Sequence, residues 1–163
     1  MVPSNLLGYF AACSAAAGAL IGLLFVAVSL RPESIFGDNA VPSARRLAES
    51  SFTGLVNAFF LSLIALIPGT ELGYPAAILA AISLWVTLRR HIRMRGTSQL
   101  TVLLSTLAVY LAELGVGIAA IVSPSTSTFV YVLAYLIIGA LSVALTRAWA
   151  LLAGRGVTPT ATP

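Results

Sequence analysis

The chain has 163 residues, 59% of them hydrophobic and only 9% charged, with a mean hydropathy of +1.00. A soluble domain carries about a quarter charged residues, so the composition excludes a water-dressed globule and makes lipid the main solvent. The nine basic residues are all arginine and leave a net charge of +4, which suits anionic headgroups; no basic–aromatic surface or motif points to nucleic acid.

Five apolar runs are predicted as membrane-spanning helices. The first covers about 6–30 and is closed by Arg31-Pro32. It has no basic leading segment and is too long for the core of a cleaved signal. Phe10-Ala11-Ala12-Cys13 approximates a lipidation box, but the apolar stretch before Cys13 is too short for one. The segment Arg31–Arg46 carries Pro32, Gly37, Asp38 and Pro42 and is expected to be irregular, with Ser43 as the N-cap of a helix that leads into the second span. That span covers about 47–67 and ends at Pro68-Gly69. The third, about 73–88, is stopped by Arg89-Arg90 and is short against the roughly 20 residues a crossing needs. It must stand upright, thin the bilayer or gain reach from snorkelling of Arg89. The fourth covers 100–122, the fifth 129–152, and residues 154–163 form a Gly/Thr/Pro-rich tail expected to be disordered. Residues 1–153 make one transmembrane domain with no long-period repeat.

With five crossings, every arginine falls on one face. Arg31, Arg45 and Arg46 share one connection, Arg89, Arg90, Arg93 and Arg95 another, and Arg147 and Arg155 flank the end of the fifth span. Arginine-rich connections stay cytoplasmic, which puts the N-terminus outside and the C-terminus and tail inside. The expected fold is an all-α polytopic bundle of five transmembrane helices.

Inside lipid, helices associate through close backbone approach at small residues. Ser14, Gly18 and Gly22, flanked by Ala11, Ala15 and Ala19, give the strongest such face and the candidate contact between copies of the chain. Ala76, Ala80, Ser83 and Thr87 mark a seam on the third span; Tyr131, Tyr135, Gly139, Ser142 and Thr146 mark one on the fifth.

Glu113 stands out. A carboxyl at mid-span costs on the order of 2.5–3.5 kcal/mol by insertion scales. Thr106, Tyr110, Glu113 and Gly117 share one helix face, and a polar stripe on an apolar helix faces protein or water. Asn57, at mid-depth in the second span, is the candidate partner, and Tyr110 is a second donor. Glu113 is then either protonated and acting as interhelical glue, or ionised against donors and water on a path for a small cation or proton. Thr106, Tyr110, Glu113 and Asn57 would line that path, placed between subunits because five helices enclose little space.

Arg89, Arg90, Arg93 and Arg95, with His91, form a dense basic run read as a topogenic signal and a contact for anionic lipid or a protein partner. Arg45 and Glu49 are spaced to pair along a helix. Trp85, Trp149, Tyr9, Tyr74 and Tyr131 lie near span ends as interface anchors do, and Glu71 leaves the outer mouth weakly acidic. The lone His91 lacks neighbouring ligands and Cys13 is the single cysteine, so no metal site is expected. No nucleotide loop or nucleophile–histidine–acid set is present, which disfavours an enzyme and implies no cofactor.

Gly22–Leu30, Arg45–Glu49, Leu66-Ile67-Pro68 with Glu71, and Arg147–Leu152 together resemble a family of small, mostly uncharacterised bacterial five-helix membrane proteins, some of whose members are labelled modulator of FtsH protease. The resemblance covers most of the chain in order. It implies a bacterial cytoplasmic-membrane protein with no catalytic residue that docks on a larger membrane complex such as a protease.

Overall fold

The computed structural model describes residues 2–30, 32–37, 42–93, 100–123 and 127–152. Their regular structure is all helical: a 3₁₀ turn over Ser4–Leu6, then α1 (Leu7–Leu30), α2 (Pro32–Phe36), α3 (Pro42–Ala65), α4 (Gly73–Arg93), α5 (Leu100–Val122) and α6 (Thr128–Leu152). Segments Ser4–Leu30, Ala44–Ala65, Leu103–Val122 and Thr128–Leu151 are long and apolar enough to cross a membrane. The fifth long helix, α4, is not among them, and its last five residues include Arg89, Arg90 and Arg93. The exposed surface supports a lipid setting: Leu23, Phe25, Leu30, Ile78, Trp85, Val122 and Trp149 all face outward, where a water-soluble bundle would place polar groups.

Two expectations at the arginine end are corrected. The stretch after the first span is not wholly irregular. Pro32 and Pro42 each occupy a first helical position, where proline costs no backbone hydrogen bond. Ser43 therefore falls inside α3 rather than capping it. Ile35 of α2 is buried with Leu24, Ala44, Ala48, Leu55, Ala144 and Leu151, and the Arg45 guanidinium lies 5.7 Å from the centre of the Phe36 ring. Nor do Arg89-Arg90 stop the third long helix, which runs on through Arg93. Arginine is a good helix former, and Arg90 is held against α3. Its Nη1 donates to Thr53 Oγ1 at 3.0 Å and to the Glu49 carbonyl at 3.3 Å, and its Nε lies 3.5 Å from Glu49 Oε2. The Arg45–Glu49 pair forms as spaced, at 2.9 Å.

At the opposite end, α3 turns into α4 through a tight reversal. Thr70 N–H donates to the Ile67 carbonyl at 3.3 Å, with Pro68 and Gly69 between them and Gly69 at φ 78°. That is a type II turn, which takes proline first and needs a left-handed residue second.

The long helices form a ring, α3–α4–α5–α6, with α1 laid against α3 and α6. Contacts run between neighbours only. Among the described residues, no Cα of α3 lies within 8 Å of a Cα of α5. Helix α1 packs through Phe10, Cys13, Ser14, Ala17 and Leu24, and the Tyr9 hydroxyl donates to the Ala134 carbonyl of α6. The closest backbone approach joins α4 to α5. A Cβ on Gly117 would lie 2.8 Å from Ala77 N and 3.1 Å from the Gly73 carbonyl, and one on Gly73 would lie 3.1 Å from the Gly117 carbonyl. Gly117 thus belongs to a helix crossing as well as to the polar stripe on which it was placed.

The small-residue faces divide. Ala76, Ala80 and Ser83 are buried, as a seam requires. The face expected on α6 is reversed: Tyr131, Tyr135, Ser142 and Thr146 are exposed, and α6 packs instead through Leu133, Ala134, Ile137, Ala140, Ala144, Arg147 and Leu151. Small alanines on that side let α3 approach closely, and Gly54 would bring a Cβ to 3.4 Å from Ala144 Cβ.

Gly117→Val is expected to force α4 from α5 at a cost of about 1–3 kcal/mol, read as a lowered unfolding midpoint in detergent. Gly115→Val, at a position where an added Cβ meets nothing within 4 Å, is the matched control and should leave the midpoint near that of the wild type.

Candidate functional site

Polar residues of all four ring helices converge in the half of the bundle nearer the arginines. Asn57 projects from α3 and Glu113 from α5, and both are almost wholly buried, 4% and 2% exposed. Asn57 Nδ2 donates to Glu113 Oε2 at 2.6 Å. Since the backbones of α3 and α5 stay apart, contact between them passes through side chains, this pair among them. Asn57 Oδ1 and Glu113 Oε1 are buried, and neither has a hydrogen-bond partner among the described residues. Both are acceptors when the acid is ionised. A protonated carboxyl and a primary amide are complementary, each offering one donor and one acceptor to the other. A proton on Glu113 would turn one of these acceptors into a donor.

Tyr110 lies one turn nearer the arginine end on the same face of α5 and is buried. Its hydroxyl is next to Ser83 of α4 and within electrostatic reach of Glu113, Arg147 and Arg90. Gly54 leaves room for it, since a Cβ there would lie 3.8 Å from the hydroxyl. Below Tyr110, Thr106 is buried and Arg147 of α6 is 8% exposed, its Nη2 donating to Ser105 Oγ at 2.9 Å. Ser50, Gly54, Thr106, Val109, Tyr110, Ala140, Val143, Ala144 and Arg147 line a partly open pocket of about 10 Å³. That is the scale of one water molecule, and the lining is mainly apolar, with Ser50, Thr106, Tyr110 and Arg147 its polar residues.

The structure thus brings together Glu113, Asn57, Tyr110 and Thr106, the four residues expected to line the path, inside one chain rather than on a surface between chains. It adds Ser83, Gly54 and Arg147. Arg147 carries a signal in the sequence that went unused: it continues the small face of Ala140 and Ala144 at helical spacing, so it follows that face inward. The other candidates lie elsewhere. Ser14 is buried and bonds the Ala11 carbonyl at 2.9 Å. A Cβ on Gly18 would meet the Phe59 ring at 3.4 Å, while Gly22 has nothing within 4 Å and is exposed, as are Ala11, Ala15 and Ala19. Arg89 is exposed at the end of α4, and Arg90 is turned in to Glu49 and Thr53. Arg93 closes α4, and Arg95 and the tail 154–163 lie outside the described residues. No group of three or more metal-ligating side chains gathers among the described residues.

No protein-family model, curated protein or solved structure matches this chain.

Glu113→Gln should fold with nearly wild-type stability, because a second amide still accepts from Asn57 Nδ2 and offers a donor to Oδ1. Glu113→Leu strands the Asn57 amide in an apolar interior and is expected to cost about 1–3 kcal/mol. Urea or thermal unfolding in micelles separates the two; equal losses would show that the pair does not bridge the helices.

Proposed function

We propose that this protein is a multi-pass membrane protein with five crossings that carries protons, or another small cation, across a bacterial cytoplasmic membrane. Asn57 and Glu113 would form the midway binding point, with Tyr110 and Thr106 leading to it. The observation that supports this reading is the buried Asn57–Glu113 pair, bonded at 2.6 Å, with one further acceptor oxygen on each residue lacking a partner among the described residues. An ionisable group inside a membrane helix is a functional position by default. The single-water scale of the pocket beside Tyr110 and Thr106 favours a proton over a hydrated metal cation, because a proton passes along hydroxyls and single waters. The path runs within one chain. The N-terminus lies outside, and the arginine end faces the cytoplasm and its anionic headgroups. The uncovered face of Ala11, Ala15, Ala19 and Gly22 suits contact with a second copy, so a homo-oligomer would hold one path per subunit.

A second reading is a non-conducting accessory protein docked on a larger membrane complex, as the resemblance to the family labelled modulator of FtsH protease implies. The uncovered α6 face of Tyr135, Ser142 and Thr146 and the exposed Arg89 favour it. A stoichiometric partner lost on charge reversal of Arg89 and Arg93 would support this alternative.

Purified protein in liposomes with an entrapped pH-sensitive dye should dissipate an imposed proton gradient. Glu113→Gln, which keeps the fold, should slow it by on the order of 100-fold, the scale of losing a positioned proton carrier. Absence of flux under any gradient removes the transport reading.

A further inference from the structure

Polarity and burial change in one direction along the bundle axis. At the arginine end, the side chains of Arg90 and Glu49 are 39% and 21% exposed. Ser50, half-buried, sits at the level of Glu49, and one turn inward comes Thr53, also half-buried, with buried Thr106 and Arg147 nearby. Then come Tyr110 with Ser83, and finally Asn57 with Glu113, where exposure falls to a few per cent. Past Glu113 the character changes within one helical turn. Leu61, one turn beyond Asn57 on the same face of α3, is buried among Phe10, Ala58, Ala65, Leu72, Ala76, Leu133 and Ile137. On α5 the next turn is Gly117, pressed backbone to backbone on Gly73 and Ala77. Among the described residues, the buried polar side chains of that half are Ser14 on α1 and Ser62, which lies well round α3 from the Asn57 face, so the turn directly past Asn57 and Glu113 is apolar and closely packed.

We infer that the Asn57–Glu113 site opens to one side only. In this conformation it takes its ligand, a proton or a cation of similar size, from the arginine end. The α4–α5 crossing at Gly73, Ala77 and Gly117 is the barrier toward the other side. The inference rests on the transport reading for the identity of the ligand, but the asymmetry of access stands on the packing alone. Transfer outward would require that crossing to part, and its lack of side chains on the glycines lets α4 slide on α5 without unlocking interdigitated groups.

Silver ion tests the access. Stripped of its water it is no larger than a water molecule, and it replaces the thiol proton of a cysteine it reaches, forming a silver thiolate and releasing that proton. The background is Cys13→Ala in sealed vesicles of known orientation. Ser50→Cys and Ala140→Cys place a thiol at the cavity; Ala76→Cys places one in the apolar outer half. Ser50→Cys is near-isosteric and the two alanine variants each add one sulfur, and the thiol of each folded variant is verified by full labelling with a permeant maleimide after denaturation. Silver at the arginine side should protect Ser50→Cys and Ala140→Cys from later maleimide labelling at least tenfold more than silver at the other side, and Ala76→Cys should be unprotected from either side. Protection of the cavity positions from the opposite side or equally from both, no protection at all, or protection of Ala76→Cys each overturns the inference. Loss of proton flux with one-sided silver access intact removes the transport reading alone, and flux with silver access from both sides removes this inference alone.

Discussion

The hydrogen bond between Asn57 and Glu113 joins two helices whose backbones stay apart. Helices α3 and α5 sit across the ring from each other, and side chains as long as an asparagine and a glutamate are needed to meet over that distance. Lipid offers neither residue a partner, so each is confined to the position where the other stands. That constraint fixes the rotation of α3 and α5 about their axes. It also carries Tyr110 and Thr106 inward with Glu113, since they lie on its face, and it leaves their opposite faces to lipid.

The remaining packing is arranged around this polar centre. In a membrane, burying an apolar side chain against protein gains little over leaving it in lipid, so helix contacts depend on shape. The bundle uses small residues for this purpose: alanines along α3 and α6, and glycines where α4 crosses α5. The consequence is a division into two halves. Beyond Glu113 the helices close on one another through mainly apolar contacts, with Ser14 and Ser62 the buried polar side chains there among the described residues. Before it, hydroxyl-bearing side chains and Arg147 border a narrow space. Arg90, bound to Glu49 and Thr53, closes α3 on α4 at the arginine end, a partly exposed link of the kind worth under about 1 kcal/mol.

Much of this organisation is legible in the residues. The bounds of α1, α5 and α6 follow from runs of apolar residues ended by Arg-Pro, Pro or Gly, because hydropathy and helix breakers act locally. The partnership of Glu113 with Asn57 also follows, because a mid-depth carboxyl admits few companions and the chain holds few polar residues at that depth. The rotation of each helix is less readable. Nearly all-apolar helices carry almost no amphipathic signal, so the α6 face of Tyr135, Ser142 and Thr146 looked like a seam and is a surface. Likewise Ser14, Gly18 and Gly22 share a stripe in sequence but divide between contact and exposure, since helix α1 meets its neighbours through the adjoining Phe10, Cys13 and Ala17. The inward turns of Arg90 and Arg147 depend on partners distant in the chain, and charge patterning alone assigns both to the headgroup region.

A double-mutant cycle on Asn57→Leu and Glu113→Leu, with unfolding free energies measured in lipid or mild detergent, addresses the central claim most directly. If the two side chains hold α3 to α5, the double variant should lose less than the sum of the single losses, with a coupling of about 1–2 kcal/mol, the range of hydrogen bonds between membrane helices. Additive losses, agreeing within about 0.5 kcal/mol, would contradict the account, because the two residues would then stabilise the bundle independently and no polar bridge would cross its core.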